Sequence, residues 1–230
     1  MASPGLTRRD FLRTGLLFSA SLMAPRLAWS GTAETGSLNL LGFGDWGTGA
    51  NARQTAVAGA LQSYARTGGF TPDALLLLGD NFYGPLPGVD SPRWTAEFES
   101  MYPAADFPGP CYAMLGNHDY DDQPGGHHNE DPRLTPWKTL FHDHGVDAYV
   151  CGHEHDLQHM RVDGITTDWL ISGGGGQNLH PVKTTEKTKF GQPAFGFVHL
   201  AISPKTLRAT FVGTDAQPLY GFEREAGRKV

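Results

Sequence analysis

Cysteine is scarce in this 230-residue chain: only Cys111 and Cys151 are present. Each falls in a segment that reads as a strand, which predicts two buried free thiols and no disulfide. So little thiolate argues against a structural zinc site. Runs of lysine or arginine are also missing, so no groove for a phosphate backbone is expected, and nucleic acid is not an expected partner. Beyond the N-terminal stretch no segment is long and apolar enough to anchor the chain in a membrane. Internal repeats and low-complexity linkers are absent as well. What is there reads as one globular domain, with 39% hydrophobic and 18% charged residues.

The formal net charge is −6. The first 30 residues hold Arg8, Arg9, Arg13 and Arg26 against Asp10, so the chain without them carries about −9. An acidic chain that handles a phosphorylated substrate must draw its positive charge from bound metals. Arg8 and Arg9 stand just before a short apolar run from Gly15 to Met23, and small residues surround Ala28 and Ser30. Paired arginines ahead of a run too short to span a bilayer predict a twin-arginine signal over residues 1–30. Cleavage is expected near Ser30 or Ala33, with the product in the periplasm or secreted. The folded domain is then expected over 36–225.

Glycine, by contrast, is plentiful at 30 residues and gathers between apolar runs, as suits working residues on tight loops. Hydrophobic patterning predicts strands over 38–43, 74–78, 111–115 and 148–151. Helices are expected over 51–66, around Trp94, Phe98 and Met101, and from Thr135-Pro136 towards His144. This alternation argues for parallel βαβ units. Further strands are expected over 157–162, 169–172, 195–202 and 206–212, without clear helices. An α/β half followed by a mostly β half predicts two sheets packed face to face, with helices outside.

Four of the strands end in glycine-framed clusters of metal-binding side chains. These are Gly44-Asp45-Trp46-Gly47, Gly79-Asp80-Asn81-Phe82-Tyr83, Gly116-Asn117-His118-Asp119 and Gly152-His153-Glu154-His155. Each has an ordinary reading: a turn with a capping aspartate, a tyrosine in the core wall, a polar loop, an alternating strand end. Ligands collect at the carboxyl ends of parallel strands, however, and four such coincidences at equivalent positions are not expected together.

In these motifs and their order the chain resembles the calcineurin-like metallophosphoesterases, and within them the small tartrate-resistant purple acid phosphatases. The resemblance extends to the turn from Ser172 to Gln177. It implies an α/β fold, the four-layer αββα sandwich. It also implies a dinuclear metal centre: Asp45, Asp80, Tyr83 and His155 would hold a ferric ion. Asp80 would bridge to Fe(2+), Zn(2+) or Mn(2+), which Asn117 and His153 would also bind. Hard oxygen donors mixed with imidazoles suit such ions. The implied reaction is hydrolysis of a small phosphate monoester by a metal-bound hydroxide, with His118 as general acid. Asp119 would either orient that imidazole or cap its loop. The same scaffold also serves phosphodiesterases and nucleotidases.

One family element is missing. The family carries a long segment between the Asn-His-Asp loop and the last motif, with a His-x-Pro loop whose histidine completes the second metal site. No His-x-Pro occurs here. The expectation is an internal deletion that reduces the second sheet and removes one imidazole from the second metal. His127 or His128 would replace that imidazole, unless the two are a solvent-exposed pair or His128 instead faces the substrate. A relative impaired in this way would bind metal or phosphate with little turnover.

Overall fold

The computed structural model describes residues 37–88, 90–119 and 140–225. The expected signal over 1–30, and His127 and His128, lie outside the described residues. In chain order the elements are β1 (Leu38–Phe43), α1 (Ala52–Gly68), β2 (Ala74–Leu78), a π-helical turn (Trp94–Glu99), β3 (Cys111–Met114) and a 3-10 turn (Asn117–Asp119). There follow β4 (Ala148–Cys151), β5 (Leu157–Arg161), β6 (Asp168–Ser172), β7 (Thr188–Gln192), β8 (Gly196–Ile202), β9 (Thr206–Gly213) and β10 (Pro218–Glu225).

The strands form two sheets, in the orders β10-β9-β8-β1-β2-β3 and β4-β6-β5-β7. β1, β2 and β3 run parallel, as the βαβ pattern predicts. Two expectations need correction. β4 does not extend that parallel set; it pairs in parallel with β6 in the second sheet. Nor does the β-rich half form a sheet of its own, since β8 returns antiparallel to β1 and carries β9 and β10 with it. β7 and β10 escape a reading by pattern. β7 has one large apolar residue, Phe190, and β10 opens on Pro218 and ends in charges.

Alternation along the strands explains the layers. On one face of the larger sheet Leu41, Phe43, Leu75, Leu77 and Phe197 pack with Val57 and Leu61 of α1 and with Trp94. On its other face Val198, Leu200, Leu207, Ala209 and Phe211 meet Leu157 and Leu170 of the smaller sheet. Outside the smaller sheet, Phe141 from the helical residues 140–143 packs against Tyr149 and Trp169. The order is helix, sheet, sheet, helix, and the architecture is the expected α/β sandwich. The smaller sheet has four strands among the described residues.

α1 has clear local causes. The Asn51 side chain accepts the N–H groups of Arg53 and Gln54 at 2.9 and 3.0 Å. Gly69 closes the helix in the left-handed conformation. Cys111 and Cys151 are free; burial pushes their thiols up to about 11 and 12, with nearby carboxylates adding at Cys151. No described helix is long and apolar enough to cross a membrane.

Candidate metal centre

The C-terminal ends of β1, β2 and β3 meet the β4–β5 connection at the seam between the two sheets. Backbone hydrogen bonds tie these ends together: Gly44 N–H donates to Ser172 O at 2.8 Å, Asp45 N–H to Gly79 O at 3.0 Å and Gly152 N–H to Leu78 O at 3.2 Å. The loops therefore converge from both sheets and not from one parallel sheet. The Gly116 and Gly152 positions leave no room for a side chain, because a Cβ there would stand 2.1 Å from Asp80 Oδ1 or 2.6 Å from Asp45 Oδ2.

Asp45, Asp80 and His153 all adopt positive φ, at 60°, 49° and 75°. Such backbone is costly for residues with a Cβ, and it gathers at working sites where the surroundings enforce it. Donor atoms of Asp45, Asp80 and His155 lie within 4.8 Å of one another. The Tyr83 hydroxyl completes the group, 3.0 Å from Asp45 Oδ1, 3.3 Å from Asp80 Oδ2 and 3.0 Å from His155 Nε2.

The electrostatics of this cluster call for a cation. Burial pushes the Asp45 carboxyl up, and the neighbouring Asp80 charge adds to that, against hydrogen bonds from His155 and Tyr83. Burial likewise raises the Tyr83 phenol far above its ordinary value, helped by the charges of Asp45 and Asp80. For His155 burial acts downward, but contact with Asp45 prevails and the imidazole is raised. The Asp45 carboxyl and the Tyr83 phenol are thus disfavoured as anions here, and a bound metal reverses that preference.

His155 is prepared for a ligand role. Its Nδ1 lies 2.7 Å from the carbonyl oxygen of Asn178, which can only accept. Nδ1 therefore carries a proton, and once the ring is neutral its Nε2, beside Asp45 and Tyr83, is the nitrogen left to bind a metal. His180 stacks on the same ring with centroids 4.0 Å apart. Neither Asn178 nor His180 stood out in the sequence as a supporting residue; only the family-like turn before them pointed to the region.

The structure also brings Asn117 and His153 together, with Asn117 Oδ1 2.8 Å from His153 Nδ1. The Asn117 amide nitrogen is buried without a hydrogen-bond partner. His153 N–H donates to Asp45 Oδ2 at 2.8 Å, joining this pair to the first cluster. His118 sits between them: its backbone N–H donates to Asp80 Oδ1 at 2.9 Å, and its ring lies 4.5 Å from that of Tyr83.

Of the two roles weighed for Asp119, its hydrogen bonds match the loop cap. Its carboxylate accepts the N–H groups of Asn81, Phe82 and Gly116 at 2.8 to 3.1 Å, and the Asn81 amide at 2.9 Å. Burial pushes this carboxyl up, and those hydrogen bonds pull against it. Asn81 in turn accepts from Trp46 Nε1 at 3.2 Å and donates to Met114 O at 2.7 Å. Trp46, Asn81 and Asp119 thus brace three loops while their neighbours face the cluster.

Comparison with known proteins agrees with this geometry. The family model for calcineurin-like phosphoesterases matches residues 38–140. Purple acid phosphatase 7 of Arabidopsis thaliana is 36% identical over 86 residues, a match that takes in 37% of this chain and 26% of that protein. Against such relatives the chain spans about a quarter of their length. Purple acid phosphatase 4 of the same plant is 33% identical, over 82% of this chain and 84% of its own. That alignment runs over 285 positions, more than this chain's 230 residues, so the relative carries residues with no counterpart here. Among solved structures, GAP50, the anchor in the inner membrane complex of Plasmodium, shares the fold. Its TM-score is 0.73 at 16% identity, covering 84% of this chain and 90% of that one. With 33% identity over more than four-fifths of both sequences, and the converging loops that carry Asp45, Asp80, Asn117 and His155, the chain belongs to the calcineurin-like phosphoesterase family.

Proposed function

We propose that the chain is a metal-dependent phosphoric monoester hydrolase of acid-phosphatase type. It acts on small phosphorylated esters and is exported by the twin-arginine route to the periplasm or beyond. The carrying observation is the close approach of Tyr83, Asp45, Asp80 and His155. These four fit a ferric ion, while Asp80, Asn117 and His153 fit a second ion, Fe(2+), Zn(2+) or Mn(2+). When bound, the metals supply the positive charge that this acidic chain lacks and acidify bound water.

The chain's own groups do the rest. Asp45 and Asp80 are fixed by the loops around them, so little reorganisation is needed when a phosphate arrives. His118, exposed beside the Tyr83 ring, is placed to give a proton to the leaving oxygen. His118→Asn is expected to lower kcat by about 10²–10³-fold for alkyl phosphates. For 4-nitrophenyl phosphate, whose leaving group needs little protonation, the loss is expected to be smaller. Equal losses on both esters would remove the general-acid role.

The first experiment is metal content, visible spectrum and phenyl phosphate turnover on the purified protein. Two equivalents of metal, a tyrosinate-to-iron band and turnover are expected, with the band abolished in Tyr83→Phe. Faster hydrolysis of diphenyl phosphate than of phenyl phosphate would make the chain a diesterase. One metal or none, with no turnover after reconstitution, would leave it a binding protein.

A further inference from the structure

A cavity of about 590 Å³ opens beside the cluster. Tyr83 forms one wall, and Thr48, Arg53, Arg93, Gln177 and Asn178 are among the others. Two guanidinium groups and no carboxylate line it, in a chain whose net charge is −6.

The two arginines are not equivalent. Arg93 pairs with Glu97 and donates to the carbonyl oxygens of Pro85 and Gly47 at 3.0 and 3.3 Å. Glu97 also accepts the Gly49 N–H at 2.8 Å. Arg93 is therefore neutralised and committed to holding loops. Arg53 is exposed and has no carboxylate partner among the described residues. Its guanidinium donates to Asn178 Oδ1 and lies over the Phe195 ring, 5.4 Å from the centroid. Those contacts fix its orientation without cancelling its charge. Asn178 also holds His155 through its carbonyl oxygen at 2.7 Å, so one residue joins the imidazole of the cluster to a guanidinium that has no carboxylate partner among the described residues. In the same wall the Thr48 hydroxyl oxygen is buried with no hydrogen-bond partner.

We propose that this cavity is a subsite for a second anionic group on the alcohol side of the ester, a carboxylate or a further phosphate, and that Arg53 selects it. The proposal rests on the phosphoesterase reading above. With the transferred phosphoryl group placed at the metals that Asp45, Asp80 and His155 would hold, the alcohol portion is what remains to fill the space past Tyr83. A guanidinium offers two parallel N–H donors to either anion, and the unpartnered Thr48 hydroxyl offers another.

The test compares wild type with Arg53→Ala, a change to the better helix former in the first turn of α1, where folding is not at risk. Phenyl phosphate, meta-carboxyphenyl phosphate and phenylene bisphosphate are the substrates. Wild type is expected to favour at least one ester with the second anionic group over phenyl phosphate in kcat/KM, and Arg53→Ala to shrink that preference about tenfold. Arg53→Lys should retain part of it. The ester whose preference depends on Arg53 identifies the group, and preferences unchanged by Arg53→Ala for both esters overturn the subsite.

A binding arm separates this outcome from failure of the hydrolase reading. Calorimetry on the metal-loaded protein compares benzylphosphonate with meta-carboxybenzylphosphonate and with its phosphono counterpart. If no ester turns over, the hydrolase reading falls, while tighter, Arg53-dependent binding of a phosphonate with the second anionic group still supports the subsite. Equal affinities in wild type, or no binding at all, overturn it.

Discussion

Asp80→Asn is expected to lower kcat/KM for phenyl phosphate by at least about 10³-fold and to strip metal from the protein. Asp80 is the residue shared by both proposed ion sites, and its carboxylate lies among the donor atoms of Asp45 and His155. The substitution is mild for the fold. Asparagine keeps an oxygen to accept the His118 N–H, which reaches Asp80 Oδ1 at 2.9 Å, and it tolerates the φ of 49° at this position. The metal-free variant is therefore expected to be at least as stable as the metal-free parent. Part of the upward pressure on the Asp45 carboxyl comes from the Asp80 charge, and removing that charge relieves it. Elemental analysis, turnover and thermal unfolding with and without chelator check the three parts. A metal-free Asp80→Asn protein that unfolded several degrees below its parent would show that Asp80 serves the fold and not the site.

Asp168→Ala is expected to destabilise the protein by about 3–5 kcal/mol, a fall in Tm of roughly 10 °C for a chain of this size. Metal content below the transition should stay unchanged. Asp168 is fully buried at the end of β6 away from the cluster. It accepts from His159 Nε2 at 2.7 Å, Arg161 Nε at 2.6 Å and Arg224 Nη1 at 3.1 Å. His159 also stacks on Phe222, with centroids 4.0 Å apart, and Arg224 reaches the backbone oxygen of Asp147 at 3.1 Å. Removing the carboxylate leaves the nearly buried Arg224 and His159 short of a partner between the two sheets. Arg161→Ala is the contrast: its side chain is 49% exposed, and a loss under about 1 kcal/mol is expected.

The pH dependence of that network has a definite sign. Burial acts to raise the Asp168 carboxyl, but hydrogen bonds and charges from His159 and Arg161 outweigh it and bring it down to about 2, from an ordinary 3.8. A depressed carboxyl stabilises the fold above its unfolded value and stops doing so as pH falls through its folded one. The contribution, about 2 kcal/mol, is therefore complete at pH 5 and is lost between roughly pH 4 and pH 2. Thermal unfolding from pH 6 to pH 2 should show this step in the parent and not in Asp168→Ala. The protein would thus keep this lock throughout the mildly acid range that its proposed chemistry favours.

Most of the site could be read from the sequence because its information is local. Gly-Asp-Trp-Gly, Gly-Asp-Asn-Phe-Tyr, Gly-Asn-His-Asp and Gly-His-Glu-His each place donors directly after a strand, and strand periodicity needs only neighbouring residues. The positions of Asp45, Asp80, Tyr83, Asn117, His153 and His155 followed, as did α1 with its Asn51 cap and Gly69 stop.

The sequence alone therefore determined which residue types stand at which strand ends, and the α/β order that presents them. Tertiary structure alone decided which strands pair. β4 joins β6 and not β3, and β8 lies beside β1, because burial between two sheets selects partners far apart in the chain and local pattern carries no record of that choice. It likewise decided that Asn178, 23 residues away, holds the His155 imidazole. The Asp119 carboxylate turned to Asn81, 38 residues away, and Arg53 was left without a carboxylate partner among the described residues. A side chain's partner is set by which polar groups the closed core leaves within reach, and that depends on how the sheets meet.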